Sequence, residues 1–164
     1  MNAGCGGETA SGGLARLDRD VIRHQPDLVL VAYGLNDAVS AGLDGLQAFR
    51  ETVEAIVDRV RTGGEADLLL VTPNMMLTRL HPGIEPRWRA AAPRMLAAQQ
   101  GGVLAAYAEV LRGVARERAT GLADVYAAWE RLTRAGEDTT ARLVNGLNHP
   151  DRGMHALAAE TMFD

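Results

Sequence analysis

The chain contains no lysine: all 17 of its basic residues are arginine. That excludes a Walker A loop, whose lysine must reach the nucleotide phosphates, and Schiff-base catalysis, which needs a side-chain amine. Cysteine is almost as scarce. Cys5 stands alone, so no internal disulfide can form and the fold must be held by packing. Serine occurs only at positions 11 and 40. No apolar run approaches the roughly 20 residues that a membrane-spanning helix requires. Residues 1–13 have neither the basic nor the apolar region of a signal peptide, so location stays open, cytoplasmic by default. With a net charge of −4, the chain has no electrostatic case for nucleic acid or an anionic membrane as a partner.

What is present reads as one soluble α/β domain over residues 1–164, with 47% hydrophobic and 23% charged residues. Residues 2–13 are Gly-rich and polar, which predicts a loop. Leu14, Leu17 and Val21 repeat at helical spacing and stop before Pro26. Residues 28–32 form a continuous apolar run, Leu-Val-Leu-Val-Ala, whose composition predicts a strand covered on both faces, as in a parallel sheet. Leu46, Phe49, Val53, Ile56 and Val60 mark a second helix ended by Gly63-Gly64, and residues 68–71 a second buried strand. Residues 74–86 are irregular. Residues 87–118 are mostly helical, interrupted near Pro93 and at Gly101-Gly102, and a short third strand is expected over 122–126. Two weaker helical patches flank residues 145–153. Wholly apolar strands alternating with crossover-length helices predict a parallel sheet with helices on both faces.

In such sheets chemistry gathers beyond the carboxyl ends of the strands. The polar residues there are Asn36, Asp37, Asn74 and Asp124. Asn36 suits either a turn or helix cap or a carboxamide donor to a developing negative charge. Asp37 reads as a structural acceptor that organises its loop. Met75 and Met76, with Leu77 and Trp88, suit either an adaptable apolar pocket or packing beneath the loop.

Three stretches together resemble the SGNH (GDSL-type) hydrolases. Asn2-Ala-Gly4-Cys-Gly-Gly7-Glu-Thr9 is similar to the family's second block, Asn-x-Gly-x-x-Gly-x-Thr; Gly34-Leu-Asn36-Asp37 is similar to the third, Gly-x-Asn-Asp; Asn148-His149-Pro150 resembles the last. The resemblance implies a flavodoxin-like three-layer α/β/α fold with a parallel sheet. It also implies ester hydrolysis by a Ser–His mechanism, with His149 as general base and with the Gly4 backbone N–H and Asn36 as oxyanion donors. Asn74, Met75 and Met76 are weaker candidates for substrate contact. His155 matches a second histidine in the last block and is expected to be structural.

Two departures stand out. The family's nucleophile lies in a Gly-Asp-Ser motif upstream of the second block, where this chain begins, and neither Ser11 nor Ser40 sits in a comparable strand-to-turn context. The expectation is therefore a truncated domain whose N-terminal strand or strands are missing. It would leave an exposed sheet edge, prone to oligomer formation. The family also places an Asp three residues before the histidine, where this chain has Gly146, with Asn145 and Asp151 as possible substitutes.

Two function classes follow: a hydrolase of small acyl or acetyl esters, without metal or other cofactor, and a non-catalytic binding module or inactive fragment on the same scaffold. Nucleotide binding through Gly4-x-Gly6-x-x-Thr9 is disfavoured because the third glycine and a preceding strand are absent. A metal site at His149, Asp151 and His155 lacks a further ligand.

Overall fold

The computed structural model describes residues 1–163. Three strands, β1 (Leu28–Ala32), β2 (Asp67–Val71) and β3 (Gly121–Ala123), pair in parallel in the order β1-β2-β3. The register sets Leu30 beside Leu69 and Val71 beside both Ala32 and Ala123. Among the described residues, seven α-helices surround them: α1 (Ala10–Asp20), α2 (Leu35–Ala41), α3 (Leu46–Gly63), α4 (Ala92–Gln100), α5 (Val103–Arg118), α6 (Val125–Arg134) and α7 (Arg152–Phe163). Helix α3 packs between α1 and α5, while α7 packs on α6 and β3. The result is the expected three-layer α/β/α arrangement, with helices reconnecting parallel strands as such pairs require.

Aromatic and aliphatic side chains fill the core. Tyr107, Trp129, Ile56, Leu70 and Val57 are fully buried, and the Phe49 and Tyr107 rings meet with centroids 4.8 Å apart at a tilt of 50°. They pack against the end of β1, where Gly34 turns the chain into α2 with φ +113°. A Cβ there would stand 3.3 Å from Phe49 Cζ, and side-chain-bearing residues rarely adopt that φ, so the position calls for glycine.

Several boundaries differ from the sequence expectation. The third strand ends at Ala123, and Tyr126 lies in α6 instead. Asp124 caps that helix by accepting from the Ala127 N–H at 3.1 Å, which ends the strand early. Pro93 opens α4 and does not interrupt a longer helix, because the first turn needs no N–H from it. Asn36 and Asp37 sit in the first turn of α2, a helix too short to show an apolar period.

The coverage of β1 also differs. Val29 and Val31 are buried, but Leu28 and Leu30, which point to the other face, are 53% and 51% exposed. Helix α7 lies over β3 and α6 and leaves β1 open on that side.

A buried carboxylate joins the two helices nearest the carboxyl end of β1. Asp37 Oδ2 accepts from the Gly34 N–H at 3.1 Å, and its Oδ1 accepts from the Ala10 N–H at 3.0 Å, at the start of α1. Both are otherwise unpartnered helix-start donors, and a negative group is favoured at each. Replacing Asp37 by Ala strands two buried N–H groups. We expect Asp37→Ala to lower unfolding stability by about 2–4 kcal/mol, measured by urea denaturation. A loss under roughly 0.5 kcal/mol, the range of neutral surface changes, would contradict this role.

Candidate active site

A cavity of about 750 Å³ lies along the open side of β1, and residues from both ends of the chain line it. From the N-terminal loop come Asn2, Gly4, Cys5 and Glu8; beyond β1 and β2 come Asn36 and Asn74; from the C-terminal region come Pro150 and His155. Three of the sequence-derived candidates, Gly4, Asn36 and Asn74, are thus brought to one cavity.

The N-terminal loop is fixed by side-chain chemistry, since it has little apolar content. Glu8 and Arg16 form a forked ion pair: Arg16 Nε donates to Glu8 Oε1 at 2.8 Å, and Nη2 donates to Oε2. Tyr33 Oη donates to Glu8 Oε2 at 3.2 Å. The main-chain carbonyl of Glu8 accepts from Asn36 Nδ2 at 3.0 Å, and the Gly4 N–H donates to Asn2 Oδ1 at 2.9 Å. An Asn carboxamide carries two N–H donors. Holding the Glu8 carbonyl engages one of them.

Asn74 joins the end of β2 to the loop that carries His149, its Nδ2 donating to the Asn148 carbonyl at 3.0 Å and to the Met75 carbonyl at 2.8 Å. That loop is organised by Asn145. Its Oδ1 accepts from the backbone N–H groups of Leu147, Asn148 and His149, each at 3.0 Å. The Leu77 N–H donates to the Leu147 carbonyl at 2.7 Å. His149 itself is exposed and does not line the cavity. Among the described residues, no side chain hydrogen-bonds its imidazole.

His155 does line the cavity, from α7. The sequence held a signal for this, a second histidine one helical stretch after Pro150, but the Gly-Met-His order obscured it. Met75 and Met76 are buried, at 6% and 0% exposure, and neither reaches the cavity. The Met76 N–H donates to Gln99 Oε1 at 2.8 Å, and Gln99 Nε2 to Tyr126 Oη at 3.0 Å. Both methionines belong to the buried core, where Thr133 Oγ1 lies 3.8 Å from Met75 Sδ.

Gly146, three residues before His149, has φ +68°. A Cβ built there would point at Ile84 Cγ1, 3.0 Å away, and at His81 Nδ1, 3.5 Å away. An acid at this position would therefore face His81 and carry backbone strain. Asp151 is engaged elsewhere, with Arg142 Nε at 3.0 Å from its Oδ2 and the Met154 N–H donating to its Oδ1 at 2.9 Å. Among the described residues no three His, Cys, Asp or Glu side chains converge as metal ligands.

Comparison with known proteins places this geometry. The GDSL-like lipase/acylhydrolase family matches residues 1–157. The chain belongs to that family. Among solved structures it is similar to Axe2, an acetylxylan esterase from Geobacillus stearothermophilus, at 22% identity and a TM-score of 0.74 over 99% of this chain and 69% of that one. It is also similar to the lipase/acylhydrolase from Enterococcus faecalis, at 21% identity and a TM-score of 0.70 over 96% of this chain and 70% of that one. LAE5, an α/β hydrolase from the metagenome of Lake Arreo, Spain, shares 23% identity, with a TM-score of 0.70 over 96% of this chain and 67% of that one. These likenesses establish the fold. A search of curated proteins finds no match. No helix is long and apolar enough to cross a membrane, among the described residues.

The Glu8–Arg16 pair gives the loop a defined pH response. The Arg16 guanidinium bonded to Glu8 holds that carboxyl below its ordinary range. A depressed acid stabilises the folded arrangement in full above its unfolded pKa, and that contribution declines from there until it is gone below the lower folded value. Amide exchange protection of residues 4–8 should therefore decline progressively as pH falls below the unperturbed glutamate pKa, about 4.3. Protection that does not change as pH falls through and well below that value would contradict the pairing.

Proposed function

We propose that this chain supplies the ester-binding and charge-stabilising part of an acyl-hydrolase site for small acyl or acetyl esters. The observation that carries the reading is the meeting of Gly4, Asn36 and Asn74 in one cavity at the carboxyl ends of β1 and β2. The esterase family membership supports it.

In the reaction, the Oγ of a serine that is not among these 164 residues attacks the ester carbonyl carbon while His149 accepts its proton. The carbonyl π electrons move to oxygen, and the Gly4 N–H and Asn36 Nδ2 donate to the resulting oxyanion. Such donors act mainly on the developing charge, and losing one costs roughly 2.7–4 kcal/mol in the transition state. Collapse expels the alcohol, protonated by His149, and water then cleaves the acyl-enzyme by the same steps.

Neither serine of this chain is suited to be the nucleophile. The Ser40 hydroxyl donates to the Asp37 carbonyl at 3.1 Å. Ser11 is exposed at the start of α1, its Oγ 3.0 Å from Thr9 Oγ1. A second reading, a binding module on the same scaffold, draws on Gly146, whose Cβ direction offers His149 no carboxylate.

Two assays separate these readings. The purified chain should turn over p-nitrophenyl acetate little above the uncatalysed rate. Strong turnover that survives Ser11→Ala and Ser40→Ala but is lost in His149→Ala would overturn the assignment of the nucleophile. Acetate, the product-like probe, should bind the wild type, and Asn36→Ala should weaken it about tenfold, the value of one hydrogen bond to a charged group. Equal acetate affinity in the two proteins would remove Asn36 from the site.

We propose also that the open edge of β1 joins copies of the chain. Leu28 and Leu30 expose apolar surface beside unpaired strand backbone, with no charge or proline within the strand to guard it. Light scattering should show dimers or larger species at tens of micromolar, reduced by Leu30→Glu. A monodisperse wild-type monomer with a sharp two-state thermal transition would contradict this.

A further inference from the structure

The carbonyl of Ala3 and the N–H of Gly4 belong to one peptide unit. That unit is planar and trans, so the two groups point in opposite directions. Whatever holds the Ala3 oxygen therefore sets the direction of the Gly4 N–H. Arg16 holds it, with Nη1 donating to the Ala3 oxygen at 2.6 Å.

The guanidinium is itself held on three sides. Nε and Nη2 are bonded to Glu8, and Nη1 also donates to Asp20 Oδ2 at 3.1 Å. Its side chain is only 13% exposed. A planar fork with five donors can serve three separate acceptors in this way, while an ammonium is a flexible point charge. A cationic donor on a carbonyl also polarises the peptide and makes its N–H a stronger donor.

The same ion pair reaches Asn36. Glu8, gripped by Arg16 and Tyr33, presents its main-chain carbonyl to Asn36 Nδ2. Both oxyanion donors thus hang on Arg16, one through the Ala3 carbonyl and one through Glu8. The Gly4 N–H meanwhile rests on the Asn2 side-chain carbonyl oxygen. That amide oxygen is the chemical equivalent of an ester carbonyl oxygen, and it occupies the donor a substrate would use.

We propose that Arg16 is a positioning residue of the acyl-hydrolase site, fixing the direction and donor strength of the Gly4 N–H and, through Glu8, the seat of the Asn36 carboxamide. The inference rests on the oxyanion reading of Gly4 and Asn36. The Asn2 oxygen is then displaced when a carbonyl or carboxylate oxygen enters.

The test uses the ¹⁵N-labelled full chain as wild type, Arg16→Met, Arg16→Lys and Glu8→Gln. Without ligand, Arg16→Met should move the Gly4 amide proton upfield, speed its exchange about tenfold or more, and shift the Asn36 side-chain NH₂ signals. Signals from β2 and α5 should stay in place. Arg16→Lys restores a cation without the fork and should lie between the two, a graded rescue that simple loss of packing would not give. Glu8→Gln should disturb Asn36 more than Gly4. Titrated with sodium acetate, Arg16→Met should bind about tenfold more weakly than wild type.

Gly4 and Asn36 signals unchanged in Arg16→Met overturn the positioning role. If that variant fails to fold, unchanged signals in both Arg16→Lys and Glu8→Gln overturn it equally. Failure of acetate to bind even the wild type would overturn the oxyanion reading on which the proposal stands, and the ligand-free shifts distinguish that result from failure of the positioning role.

Discussion

Asp37 sits where two helices begin, and its two oxygens satisfy one backbone donor from each. Buried N–H groups at helix starts cannot be left unpaired without a cost comparable to a lost hydrogen bond. One side chain meets that requirement for both α1 and α2 and so sets the distance between them. The loop before α1 is therefore laid across the carboxyl end of β1, close enough for the Glu8 carbonyl to meet Asn36. Every later feature of the site inherits that placement.

The cavity follows from the same arrangement combined with the one-sided cover of β1. Val29 and Val31 belong to the same buried core as Leu17 of α1 and Ile56 of α3. On the other face α7 leans on α6 and β3, leaving a trough floored by Leu28, Leu30 and Ala32. Its polar residues lie at the end where the strands terminate, as parallel sheets dictate, and its walls are apolar.

Much of this was legible in the amino-acid sequence because it rests on local rules. The runs at 28–32 and 68–71 read as strands from their apolar composition and short length, the Gly34 turn follows from its position at a strand end, and Asp37 read as an acceptor from its residue type. What was hidden depends on partners distant in sequence. The exposure of Leu30 reflects where α7 packs, and nothing in the apolar run reports that. Met75 and Met76 read equally as pocket or core, because their burial depends on α4 and α6, which lie further along the chain. Arg16 carries a visible i,i+4 relation to Asp20. Its grip on Ala3 and Glu8 exists only because the chain reverses before α1. Gly146 read as a missing acid, and only its backbone angle shows that a side chain there would turn toward His81.

The Gly4 N–H and Asn36 Nδ2 are proposed to form a seat for an oxygen carrying negative charge. A crystal of the protein soaked in acetate tests that proposal. One acetate oxygen is expected within about 2.7–3.1 Å of both nitrogens, with the Asn2 side chain displaced from Gly4. Acetate bound elsewhere, with Asn2 Oδ1 still on the Gly4 N–H, would contradict it.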